Sequence, residues 1–179
     1  MSDGCGAGQA HHTEQAAALR EIQTPLKQKY RDDPTAALLT LRAAAELGDE
    51  GVTCSVQTGR AMVTAGLHPY SGGDGTLACS GDMLLEALAA CAGVTMRAVA
   101  TSLNIEVSGR LRVEGDLDFR GTMGVDKGAP VGFTAIRVIA DIETDADENQ
   151  RAALLKLTER YCVVLQTLVS SPEVTLSTP

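Results

Sequence analysis

Two cysteines, Cys91 and Cys162, carry the chemistry that this chain offers. Cys91 stands in Leu88-Ala-Ala-Cys-Ala-Gly-Val94, where small neighbours leave space above the sulfur for a close helix contact or for a substrate. Cys162 follows Glu159, Arg160 and Tyr161 at a charged break between two helical stretches. A thiol near a helix N-terminus and beside an arginine has reason to ionise at neutral pH, and the thiolate is the nucleophilic form. Taken singly, each cysteine also has a plainer reading. Free cysteine is among the most buried residue types and packs as a small hydrophobe.

The helix around Cys91 does not itself supply an activating charge. Glu86 and Arg97 project away from its face, while the same-face neighbours Ala87, Leu88, Val94 and Thr95 are uncharged. An activating cation must come from another segment or another subunit, which leaves Arg60, His68 and Arg160. Other clusters carry less. Cys5, His11 and His12 have no spacing that builds a rigid metal site, so no metal is expected. Gly72, Gly73 and Gly75 beside Asp74 lack the Gly-Lys-Ser/Thr ending of a phosphate loop. Cys79 precedes the helix cap as a third redox thiol or an ordinary loop cysteine, and Cys54 has the inward parity of its strand.

These residues need elements to position them. Residues 1–20 read as a flexible tail, 21–48 as an N-terminal helical extension and 49–179 as the main domain. Asp33 before Pro34 is a helix cap, and Ala36 to Leu47 are strong helix formers closed by Gly48. Val52, Cys54 and Val56, then Ala61, Val63 and Ala65, alternate as strands. After a loop from His68 to Ser80, a helix starts near Ser80 to Asp82 and ends near Asn104. The clearest alternation lies in Ile105 to Arg120, with Ile105, Val107, Leu111, Val113, Leu117 and Phe119 on one face. Gly121 to Gly132 form a turn, and a second long strand runs from Phe133 to Thr144 with Ile136, Val138, Ala140 and Ile142 inward. Asp145 or Asp147 caps a helix from about Glu148. Pro172 ends the helical stretch, and Val174 to Leu176 form a short last strand. This order is α+β, antiparallel strands with helices on one side.

From Met83 to Leu103 the helix is apolar almost all round, which a surface helix of a small domain cannot be. The same helix of a second subunit is the economical cover, so a homodimer is expected. Glu86 and Arg97 interrupt the run and argue against a membrane span. A net charge of -8 with scattered basic residues argues against nucleic acid. No secretory leader is visible, the cytoplasm is the expected compartment, and there the five cysteines are reduced by default.

Gly81-Asp-Met-Leu-Leu-Glu-Ala-Leu-Ala-Ala-Cys-Ala-Gly-Val-Thr-Met-Arg97 resembles the central helix of the OsmC/Ohr family, an apolar run ending Ala-Ala-Cys or Gly-Ala-Cys. Arg160-Tyr-Cys-Val-Val164 resembles the family's second cysteine motif, usually Tyr-Cys-Pro-Val. The order of elements from Gly51 to Thr178 matches too, and the N-terminal helix lies outside the resemblance. The resemblance implies a two-layer fold, an antiparallel sheet with long central helices, in an intertwined homodimer. It implies reduction of hydroperoxides, organic ones in one branch, with Cys91 as peroxidatic thiolate and Cys162 as resolving thiol. An external dithiol would recycle the disulfide, without metal or organic cofactor. Three positions depart from the pattern. Gly81 stands where the peroxide-reducing branches usually carry a glutamate, and the adjacent Asp82 is rotated by about 100° on the helix. Arg60, with His68 nearer the helix, occupies the region of the family's thiolate-holding arginine without its motif, and Val163 replaces the proline. The alternative expectation is a non-catalytic ligand-binding or redox-sensing protein of the same fold.

Overall fold

The computed structural model describes residues 21–47, 54–56, 65–103 and 105–178. Arg60, Cys5, His11, His12, the tail 1–20 and the strand expected around Val63 lie outside the described residues, as does the side chain of Cys54. The described chain divides into two compact units: residues 21–40, 65–80 and 116–135 form one, and 41–47, 54–56, 81–103, 105–115 and 136–178 the other.

In the first unit, helix α1 (21–32 in its described part) buries Tyr30 with Ala37, Phe119 and Met123. The Tyr30 hydroxyl donates to the Tyr70 carbonyl and so keeps a bond while its ring is buried. Asp33 is the expected cap, accepting from the Thr35 N–H, but it opens only a four-residue 3-10 turn, Pro34–Ala37. The chain then extends as strand β1, Leu38–Leu47, where a helix was expected. β1 pairs antiparallel with β2, Cys54–Val56, with Ala45 opposite Val56 and Leu47 opposite Cys54. Helix propensity is a weak preference, and ladder pairing on both sides overrides it here. Two short strands, β3 (Ala65–Gly66) and β4 (Ala78–Cys79), pair in parallel.

Helix α2, Ser80–Leu103, follows directly. Leu85, Leu88, Ala89, Ala92, Gly93, Met96, Val99 and Ala100 are buried, the three-and-four spacing of one helix face. By length and composition α2 could cross a membrane, but that buried stripe belongs to a core helix. Away from that stripe Met83, Leu84 and Val94 are exposed, and Leu103 is exposed at the end of the helix.

Strands β5 (Ser108–Asp118) and β6 (Phe133–Glu143) complete a four-stranded sheet in the order β2-β1-β5-β6. The Thr144 hydroxyl donates to the Glu106 carbonyl, Arg112 pairs with Asp141, Arg137 with Glu114, and the Thr134 hydroxyl donates to the Asp116 carbonyl. Residue numbers fall on one strand as they rise on the other, so β5 and β6 run antiparallel. Leu111 and Val113 are fully buried, as the alternation predicts. Gly109 sits at φ 113, and a Cβ there would collide with the Asp141 carbonyl, so only glycine lets the strands approach. β5 is shorter than expected because Asp118 caps a one-turn helix, α3 (Phe119–Thr122), and grips Arg120 at 2.6 Å. On β6, Ile136, Ala140 and Ile142 are half-buried, but Val138 is exposed.

Helix α4, Glu148–Tyr161, begins with a reciprocal capping box between Asp147 and Gln150. Helix α5, Val163–Val169, ends before Pro172. Residues 171–178 form no strand, and Leu176 is fully exposed. A short strand is expected at Val174 to Leu176, yet a strand needs a ladder partner, and this segment has none among the described residues.

Candidate functional site

Cys91 faces the joint between α4 and α5. Cys162 is that joint: its N–H closes α4 on the Thr158 carbonyl at 3.0 Å, and its carbonyl accepts the Gln166 N–H of α5 at 2.9 Å. The two thiols are free, and they are near enough for each to shift the other's acidity. Cys162 is wholly buried, whereas Cys91 is half-buried.

Their acidities diverge for stated reasons. Burial pushes the Cys91 thiol up, but hydrogen bonds outweigh it and the net shift is downward from 9.0. The donors are the Val164 N–H, the Cys162 thiol, the Thr95 hydroxyl and the Val163 N–H. For Cys162 burial dominates and the thiol is pushed up to about 11; the Leu165 and Val164 N–H groups oppose this, and the neighbouring Cys91 adds to it. Of the two, Cys91 is the thiol that gives up its proton first and Cys162 the one that keeps it. In sequence, Arg160 gives Cys162 a reason to ionise; in the fold, burial acts the other way. Adjacency in sequence does not aim the cation, and the Arg160 guanidinium lies over the Tyr161 ring, 5.6 Å from its centroid.

Among the described residues, the groups that lower Cys91 are all neutral. Val163, Val164 and Thr95 were not singled out as donors from sequence. A backbone N–H has no letter of its own, though Thr95, one helical turn from Cys91, was legible as a same-face neighbour. His68 has another setting. It caps the 3-10 turn Pro69–Ser71, its Nδ1 accepts the Tyr70 N–H at 3.1 Å, and its ring lies 5.2 Å from Phe119 and 5.6 Å from Tyr70. Cys79 ends β4, half-buried and free.

Beside the thiols lies an apolar cavity of about 400 Å³, lined among others by Leu88, Ala92, Met96, Ile136, Leu155 and Leu165. Thr158 and Glu159 are its polar wall, and the buried Thr158 hydroxyl has no hydrogen-bond partner among the described residues. Neither sulfur lines this space, but α2 and the α4–α5 joint contribute to both.

The family model for OsmC-like proteins matches residues 73–177. Among solved structures, an OsmC-like hydroperoxide resistance protein from Jannaschia sp. CCS1 superposes with a TM-score of 0.51 at 13% identity, covering 77% of this chain and 91% of that one. At that identity the likeness is one of fold. No curated protein matches the chain.

Proposed function

The chain belongs to the OsmC family, and on that premise we propose that it reduces hydroperoxides, organic ones above all, through Cys91 and Cys162. The observation that carries this reading is the nearness of two free thiols, half-buried Cys91 and buried Cys162, whose acidities are shifted in opposite directions. The Cys91 thiolate attacks the terminal peroxide oxygen; an S–O bond forms, the O–O bond breaks, and the alkoxide leaves and takes a proton from water. Cys91 is then a sulfenic acid. The Cys162 sulfur displaces its hydroxyl, giving the Cys91–Cys162 disulfide and water. An external dithiol reduces that bond and becomes a disulfide itself. No metal or organic cofactor enters this cycle. The apolar cavity beside the pair supports an organic rather than an inorganic peroxide.

The working unit in this reading is a homodimer held through the exposed apolar face of α2, in a reducing cytoplasm where an external dithiol is at hand. Cys91→Ser should abolish consumption of an organic hydroperoxide. Cys162→Ser should leave one turnover and a sulfenic acid that dimedone traps. Wild-type protein that consumes no hydroperoxide with any common dithiol would sink the proposal.

A second reading, a ligand-binding or redox-sensing protein, is favoured by Gly81 in the place of the glutamate and by the cavity with its unpartnered Thr158 hydroxyl. It expects one equivalent of peroxide per Cys91 and no steady state, so counting turnovers separates the two.

A further inference from the structure

The described residues that line the apolar cavity all belong to the second unit, among them Leu111 of β5, Ile136, Val138 and Ala140 of β6, and Leu165 and Leu168 of α5. Its volume, about 400 Å³, falls within the span of small-molecule sites, roughly 300–1,000 Å³. Neither Cys91 nor Cys162 lines it, so what it holds need not be what a thiol attacks.

One polar residue on its wall is out of keeping with the rest. Thr158 is 6% exposed, and its hydroxyl has no hydrogen-bond partner among the described residues. A threonine inside a helix commonly returns its hydroxyl to the carbonyl one turn back, as Thr101 does to Arg97 and Thr167 to Val163, each at 2.8 Å. Thr158 makes no such bond to Leu154. A buried hydroxyl left without a partner is destabilising, and native proteins keep such groups few. Among aliphatic walls a lone water would lack most of the polar partners that hold a buried water in place. An oxygen carried on an apolar body serves the hydroxyl and fills the space together. Helical threonine divides between two χ1 wells, so rotation about one bond can bring the hydroxyl to such an oxygen.

We propose that this cavity binds a neutral aliphatic molecule with one oxygen-bearing head, an alcohol or a ketone, and that the Thr158 hydroxyl holds that head. The aliphatic lining takes the body of the ligand out of water. Glu159, next to Thr158 on the wall, sets the charge class. A carboxylate or phosphate head would be brought beside an acidic residue, and a neutral head is not penalised in this way. The alcohol that an organic hydroperoxide leaves on reduction is of this class. The site goes beyond the peroxidase reading and does not depend on turnover.

The test is isothermal titration of octan-1-ol into the full chain held reduced, with sodium octanoate as the charged counterpart. Octan-1-ol should bind saturably at one site per chain, and octanoate more weakly. Thr158→Val keeps the shape of the side chain and removes the hydroxyl. It should weaken octan-1-ol roughly two- to tenfold, and Thr158→Ser should bind close to wild type. Without ligand, Thr158→Val should melt higher than wild type, because a methyl has replaced a buried hydroxyl that had no partner. Ala140→Leu, which fills the space from β6, should abolish binding with the helical content kept. A wild type that shows no saturable binding overturns the proposal. So do equal affinities for wild type and Thr158→Val, or octanoate bound as tightly as octan-1-ol. Consumption of an organic hydroperoxide, followed in parallel, keeps the two readings apart: binding without turnover retires the peroxidase and leaves the site, and turnover without binding does the reverse.

Discussion

Cys162 lies out of water and keeps its proton up to about 11, while half-buried Cys91 is drawn below 9.0 by hydrogen bonds. The folded protein therefore binds the Cys162 proton more tightly than the unfolded chain does. That contribution to stability is complete below the ordinary thiol value of 9.0 and is lost as pH rises through about 11. Urea midpoints should fall more steeply across that window for wild type than for Cys162→Val; parallel curves would show that the sulfur does not titrate as described. Cys91, being lowered, has the opposite sign and loses its contribution as pH falls. The two cysteines themselves were legible through the motifs around them. Their roles were less so, because Arg160 beside Cys162 reads as an activator in sequence, and only the fold shows its guanidinium over Tyr161.

Among the elements, α2, β5, β6 and the Asp147 cap of α4 follow from periodicity and capping chemistry written in the sequence. β1 does not. Leu-Leu-Thr-Leu-Arg-Ala-Ala-Ala-Glu-Leu is a helix by local preference and a strand by its neighbours, information that lies in β2 and β5 rather than in the segment. The end at residues 171–178 errs the other way, with strand-like letters and no ladder. Gly109 is a test of how closely β5 and β6 approach. Gly109→Ala places a methyl against the Asp141 carbonyl at positive φ, and thermal unfolding should report a loss of at least 1–3 kcal/mol on the order of magnitude expected for backbone strain. An unchanged melting temperature would mean that the strands part easily there.

For the whole molecule, the α+β class was readable from the order of elements, and the division into two compact units was not, since each unit is assembled from separated stretches of chain. The apolar second face of α2 was readable too. Met83, Leu84 and Val94 remain 37–40% exposed in the single chain, a row of large apolar groups that a soluble monomer seldom displays. In the proposed homodimer this row is covered. Val94→Lys should shift the protein from dimer to monomer in analytical ultracentrifugation, with the helical content kept; a monomeric wild type would remove the dimer from the mechanism.

The complete burial of Cys162 gives the proposed recycling step a polarity. Once the disulfide has formed, an incoming thiolate can approach only its Cys91 half, so Cys162 must be the leaving group. The expelled sulfur is basic enough to recapture a proton at once, which leaves little nucleophile to reverse the exchange. A monothiol such as 2-mercaptoethanol should therefore accumulate as a mixed adduct on the Cys91 peptide, and an adduct found on Cys162 instead would mean that the α4–α5 joint opens during turnover.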